Sequence, residues 1–395
     1  MKHTITSILL CLLAINTYAT DLFVRENGAG GAYATISDAI TAAADGDRII
    51  ITPKVGDIPY VEDLTINKSL TLQSSNIGEK YLVFGTISIV PAAERIVIIH
   101  NAAVSEDVEA SSNSGSGERT VVSIFNSEME EVFFDRNNVT VNLISNEIGG
   151  VVYFRHGKLI GNDMFGEFQI ENDVNSSTLA DTPIYIIGNK ITFENYNQSN
   201  FLASETYAYH IYNNDFNSIY LGGSNPFALL EIFFSGENSL NFIHNNDFSF
   251  LDEDEIVNGI YIQGTNNVCV WDIRNNSFSI TGVGTTTNVW DDSSDVNSQA
   301  YFNKYKAGAE FLVDIEASNT EFTTDADLVD AGHPATTYYD IDLTPNDVGI
   351  HGGSHAWSNY HPEDSDGKPQ VYFLEIPNLI INSSTIDVKA AAFSK

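Results

Sequence analysis

One short phrase of apolar and polar positions returns along residues 134–305. It consists of an aliphatic or aromatic residue, two variable positions, an Asn, one polar position and a second apolar residue. The phrase reads Phe134-x-x-Asn137-x-Val139, Leu159-x-x-Asn162-x-Met164, Ile186-x-x-Asn189-x-Ile191 and Ile211-x-x-Asn214-x-Phe216. It continues as Ile243-x-x-Asn246-x-Phe248, Ile273-x-x-Asn276-x-Phe278 and a weaker Ala300-x-x-Asn303-x-Tyr305. The Asn positions are 25, 27, 25, 32, 30 and 27 residues apart. A unit recurring at such intervals, with the slack taken up between copies, marks a stacked repeat.

The residues around each Asn are β-branched or aromatic and sit in short runs, without the three-and-four spacing of a helical face. Each copy therefore predicts short strands joined by turns. Asn suits such a turn because its side chain bonds nearby backbone and it tolerates left-handed conformations. Stacked coils place successive Asn residues roughly 4.8 Å apart, so their amides can satisfy one another inside the bend. Phe216, Phe248 and Phe278 then form a column in the core. An antiparallel sandwich would show hairpin signals about every 8–12 residues, which this chain lacks. The expected fold is all-β: a single-stranded right-handed parallel β-helix with an N-terminal helical cap and a small C-terminal β segment.

The cap is read from residues 21–72. Phe23-Val24-Arg25 opens as a strand, followed by Gly28-Ala29-Gly30-Gly31 and Tyr33. Residues 35–44 put Ile36, Ala39, Ile40 and Ala43 on one helical face. Asp45-Gly46-Asp47 ends that helix, and strand-like runs follow from Arg48 and from Tyr60 to Leu72. A helix here would cover the open end of a coil and shield its strand edges. This succession resembles the N-terminal cap and first coils of the pectin lyase-like superfamily of secreted right-handed β-helix proteins. Residues 328–353, with Asp340-Ile341-Asp342 and Gly349-Ile350-His351-Gly352-Gly353, resemble the closing segment of many secreted bacterial β-helix proteins. The resemblance implies the fold and leaves activity open, since that superfamily includes lyases, hydrolases, esterases and adhesins.

The expected organisation is a signal peptide at 1–19, a capped β-helix at 20–330, closing loops at 331–370 and a terminal β segment at 371–395. Lys2, the apolar run from Ile5 to Ile15, and Thr17 and Ala19 before Thr20 fit a secretory signal cleaved after Ala19. No later stretch is apolar and long enough for a membrane span. Ser105–Arg119 reads as a flexible insertion, and loops are expected over 171–182, 217–237 and 251–257. With Cys11 in the signal and only Cys269 beyond it, an internal disulfide is excluded. The charge of −35, from 53 acidic and 18 basic residues, argues against nucleic acid or an anionic membrane as partner.

Candidate chemistry is sparse. Polysaccharide lyases of the resembling fold need a base beside a uronate and a cation to neutralise it. Arg155-His156-Gly157-Lys158 is the densest basic cluster, so Arg155, His156 and Lys158 are the catalytic candidates; alternation sets Arg155 and Gly157 on one face and His156 and Lys158 on the other. Arg136, His244 and Arg274 are read as one column just before the phrase Asn, where exposed spacers are expected. Asp135, Asp163, Asp215 and Asp247 recur near the ladder as an acidic edge. Asp340, Asp342 and Asp347, with Asp364 and Asp366, offer oxygen ligands for Ca²⁺ without the spacing of a calcium loop. His351, His355 and His361 share one loop and are weak transition-metal candidates. Trp357 and Tyr360 in that loop are candidates for stacking on sugar rings. The expected function is polysaccharide or cell-surface glycan binding without evident catalysis; the alternative is a lyase or glycoside hydrolase acting in a loop-walled groove.

Overall fold

Each turn of the chain lays down one strand in each of three parallel sheets. The computed structural model describes residues 19–394 apart from 77, 111–118, 137, 173–182, 194–199, 205–207, 219–226, 235–239, 252–256, 264–268, 282–285, 293–295, 308, 312–317, 362–368 and 376–388. Sheet A has 12 strands, from Asp21–Val24 to Val296–Tyr301. Sheet B has 12, from Tyr60–Val61 to Thr320–Glu321, and sheet C has 11, from Leu64–Ile66 to Ala309–Phe311. The chain runs from A to B to C and back to A, and strands pair in parallel with their counterparts one coil away. This is a right-handed parallel β-helix. The signal-peptide expectation rests on residues almost wholly outside those described.

Alternation along the strands supplies the core. In Thr120–Phe125, for example, Thr120, Val122 and Ile124 point in and are buried. Aliphatic side chains of all three sheets merge into one cluster running the length of the coil. Within it Phe216, Phe248 and Phe278 stack with ring centroids 4.8 and 4.9 Å apart and planes 2° and 7° from parallel, each ring following the coil spacing.

The first helix, α1 (Ile36–Ala42), buries Ile36, Ala39 and Ile40 against the first coils. Its exposed backbone ends are answered by other coils. Glu62 accepts from the Ile36 and Ser37 amides at 2.8 and 2.9 Å, and Lys68 donates to the Ile40, Thr41 and Ala43 carbonyls at 2.9, 2.8 and 2.6 Å. A carboxylate at the N-terminus and an ammonium at the C-terminus also suit the helix dipole.

The bend from sheet A to sheet B carries the amide ladder. Nδ2 of Asn162 donates to Oδ1 of Asn189 at 2.8 Å, and the same bond repeats from Asn189 to Asn214, Asn214 to Asn246, Asn246 to Asn276, and Asn276 to Asn303, at 2.8–3.0 Å. Each backbone amide donates to the same oxygen, and the second Nδ2 hydrogen reaches a carbonyl of the coil before, as from Asn214 to Ile186. Asn137 lies outside the described residues. Phe134, which opens its phrase, belongs to a sheet C strand, so that copy is out of register with the others. The bend at that level is made by Asn146, bonded to Asn162 at 3.1 Å, and the far end is extended by Asn319. The left-handed residue is the one before the ladder Asn: Ser145, Gly161, Gly188, Asn213, Asn245, Asn275 and Phe302 all have φ between 54° and 63°.

Residues 328–361 form a strap that runs back along the outside of this bend. The left-handed Asn side chains grip it: Asn213 donates to the Ile350 and Gly352 carbonyls, Asn245 to Asn346 and the Asp347 carbonyl, and Asn275 accepts from the His333 amide. One coil back from Asn213 the left-handed residue is Gly188, where a Cβ would stand 2.3 Å from the Tyr360 ring. Where the strap lies against the bend, the left-handed residue is Asn where it holds the strap and Gly where it admits the Tyr360 ring.

Two expected loops contain strands. Val108–Ala110, inside the expected insertion, pairs with Ile87–Ile89 and Val132–Phe134 in sheet C. Phe227–Phe234, inside the expected 217–237 loop, is an eight-residue sheet C strand. Pro369–Glu375 and Lys389–Ser394 pair antiparallel as the terminal β segment; the turns expected at Pro377 and Asn382-Ser383 lie outside the described residues.

Candidate carbohydrate-binding face

Sheet C strands repeat a triad whose outer residues point into the core and whose middle residue faces out. Val132-Phe133-Phe134, Val152-Tyr153-Phe154, Phe168-Gln169-Ile170, Asn200-Phe201-Leu202, Leu230-Glu231-Ile232 and Ile260-Tyr261-Ile262 follow it, and Trp290 continues the outward column. The registers are direct: Phe133 faces Tyr153, Tyr153 faces Gln169, then Phe201, Glu231, Tyr261 and Trp290 in turn. Seven coils thus present one outward column, roughly 29 Å long at about 4.8 Å per coil.

Most of that column is aromatic. Phe133 stacks on Tyr153 with centroids 5.0 Å apart, and Tyr261 lies 5.1 Å from Trp290. A register shift beyond Leu202 adds Phe233, whose ring is 4.7 Å from that of Phe201. Phe133 is 46% exposed and the others are half-buried, so ring surface stays in contact with water along the array. Rings grouped on one sheet face, with Gln169 and Glu231 between the groups, are surface that a ligand can remove from water.

Polar groups border the rings. Asp135, Arg155, Glu171 and Gln263 stand two residues further along the same strands or just past their ends. Arg155 donates from Nε to Asp135 at 2.7 Å and forms an ion pair with it through Nη2. The Tyr153 hydroxyl donates to Glu171 at 3.4 Å, and Gln263 donates to the Tyr261 hydroxyl at 2.6 Å. Burial, aided by the Glu171 and Asp135 carboxylates and opposed by Arg155, pushes the Tyr153 phenol up to about 12, so it remains a donor at neutral pH.

The three basic candidates do not meet. Arg155 lies beside the sheet C face. His156 is buried at the bend, with Nδ1 3.1 Å from Arg119 Nη2 and 3.3 Å from Thr140 Oγ1. Lys158 stands on the outer face of sheet A, 5.4 Å from the centroid of Tyr185. The expected alternation fails because the chain bends at 155–156 and Gly157 takes φ +152°, with no room for a Cβ beside the Val141 carbonyl.

His244 and Arg274, expected as exposed spacers, lie under the strap. Arg274 donates from Nε to Asp272 at 2.6 Å, and its guanidinium is 4.4 and 4.5 Å from the Tyr301 and Tyr338 rings. His244 Nε2 is 3.4 Å from Asp272, and burial, then Arg274 and His333, hold its ring well below its ordinary pKa. Tyr360 is also strap packing: its ring is 6% exposed and closes a cluster with Ile144, Ile160 and Ile187, which denies it to a sugar. Trp357 is half-buried and stacks on His361 at 3.9 Å.

The acidic candidates are dispersed. Asp163, Asp215 and Asp247 share an outward column of sheet B with Lys190 among them, while Asp135 lies away from it beside Arg155. Asp247 is no solvated edge: the strap crosses it at Gly349, Ser277 donates to it, and burial raises it to about 7. Asp340 accepts from the Asp347 amide and also holds the Gly353 amide, Asp342 caps Thr344, and Asp347 takes the Asp330 amide. These carboxylates close turns and do not turn toward a common point; Asp364 and Asp366 lie outside the described residues. Of the three loop histidines, His355 bonds to Tyr360 and His361 to the Gly188 carbonyl, while His351 is exposed. Among the described residues no group of three or more His, Cys, Asp or Glu is placed to hold a metal ion. No helix among them is long and apolar enough to cross a membrane.

No protein-family model matches the chain, and no curated protein matches it in sequence. Among solved structures it is similar to pectate lyase Pel9A, at 13% identity and a TM-score of 0.32, over 85% of this chain and 96% of that one. It is also similar to the pectin methylesterase from Aspergillus niger in deglycosylated form, at 12% identity and a TM-score of 0.27, over 77% of this chain and 90% of that one. The parallel β-helix described above stands on the pairing of the chain's own strands.

Proposed function

We propose that this is an exported protein that binds a polysaccharide chain along the outer face of sheet C without cleaving it. The observation that carries the reading is the column from Phe133 to Trp290, in which five of seven coils present a ring and polar groups stand beside them. An extended glycan is a linear repeat of flat apolar ring faces edged by hydroxyls. Ring stacking supplies affinity, and the side-chain oxygens and amides supply orientation.

Binding is favoured over turnover by the fate of the basic residues. Arg155 is held as a cation by Asp135, and His156 and Lys158 point elsewhere, so the cluster assembles no free base beside this face. Export rests on the charged and apolar pattern of residues 1–19.

The test is retention of the purified protein on a panel of immobilised polysaccharides, followed by calorimetry on those that retain it. Trp290→Ala and Tyr261→Ala should each weaken binding by about tenfold, the 1–2 kcal/mol expected for a well-seated aromatic contact. Unchanged affinity in both variants would place the site elsewhere. New reducing or unsaturated ends after incubation, with or without Ca²⁺, would contradict the non-catalytic reading.

A further inference from the structure

Resting on the glycan-binding reading, we infer that the face selects an uncharged polysaccharide and rejects polyuronates. The outward columns of sheet C mix rings with carboxylates: Glu109 precedes Phe133, Glu231 sits between Phe201 and Tyr261, and Glu171 bonds to the Tyr153 hydroxyl. Among the described residues of these columns the one cation is Arg155, and its guanidinium is already bonded to Asp135. A polyuronate laid along the column would bring one carboxylate per sugar past these acids. Each such like-charged encounter is unfavourable even at the dielectric of water. The field of a chain with a formal charge of −35 adds to every such encounter.

The same acids suit a neutral chain. A carboxylate only accepts hydrogen bonds, and sugar hydroxyls donate them, so Glu171 and Glu231 can hold hydroxyl groups as strong charge-assisted acceptors. The rings meet the apolar faces of the sugars, and no partner of opposite charge is required.

The experiment compares the intact protein on an uncharged β-linked glucan or xylan with the protein on polygalacturonate, at low and high salt, in EDTA and in Ca²⁺. The expected result is binding to a neutral polymer at least tenfold tighter than to polygalacturonate in EDTA, with little loss in high salt. The double variant Glu171→Gln, Glu231→Gln should narrow that gap by strengthening the polyuronate arm. Polygalacturonate bound as tightly as the neutral polymer, in EDTA or only with Ca²⁺ as a bridge, would overturn the selectivity while leaving glycan binding intact. Failure to bind any polymer would overturn both, and Trp290→Ala separates the two cases because it lowers affinity only if the face is the site.

Discussion

Asn214 makes its hydrogen bonds at no distance from the local chain that a neighbour in sequence could supply; every partner is on another coil. Its Oδ1 accepts from the Asn189 side chain and amide, and its Nδ2 donates to Asn246 and to the Ile186 carbonyl. Asn214→Ala removes the amide and leaves two buried donors of Asn189, its backbone N–H and one Nδ2 hydrogen, without their acceptor. Each orphaned group costs about 1–3 kcal/mol, so the variant should lose about 3–5 kcal/mol in denaturant unfolding. A loss below 1 kcal/mol would mean that the ladder is incidental. These Asn residues are legible in the sequence because one local constraint, the A-to-B bend, recurs with the same phrase. Asn146 is hidden by its 16-residue step to Asn162, which a search at two to three dozen residues passes over, and Asn319 by the acidic residues around it. The burial of His244 and Arg274 is not legible, because the strap that covers them comes from far along the chain.

The strap covers several titratable groups, so its stability depends on protonation. His210 and His355 are each pushed down from 6.5 to about 4 by burial, with His244 and His355 adding to the effect on His210. Burial, then Arg274 and His333, hold His244 well below its ordinary value too. These rings are neutral in the native state, so the released strap binds more protons once the pH falls below 6.5. Their contribution is complete above 6.5 and is lost as the pH falls toward 4. Asp247 acts in the opposite sense. Raised from 3.8 to about 7, it stabilises below 3.8 and loses that contribution as the pH rises through 7. The lowered imidazoles outweigh the raised carboxyl, so the strap loses stability between pH 7 and 5. Amide exchange over 345–361 should therefore lose protection on acidification, and unchanged or greater protection at pH 5 would contradict the balance.

At the scale of the whole molecule, a coil that stacks on its neighbours converts a feature of one strand into a row, and the aromatic face is that kind of row. Its sequence signal is the middle residue of the sheet C triads, but the triads align only once the coils are in register. The unequal segments between Asn positions conceal that register, since strands such as Val108–Ala110 and Phe227–Phe234 lie inside stretches that read as loops. The fold was legible because its constraint repeats at one bend. The face was not, because it depends on how a second sheet is threaded between those bends.

The most direct measurement is calorimetric titration with a length series of oligosaccharides from the glycan that retains the protein. The account predicts affinity that rises with each added sugar until the chain spans the column from Phe133 to Trp290. It also predicts collapse of that gain in the triple variant Phe201→Ala, Tyr261→Ala, Trp290→Ala, with the β-sheet circular dichroism of the native protein retained. Affinity that saturates at one or two sugars, or that survives the triple variant, would contradict it.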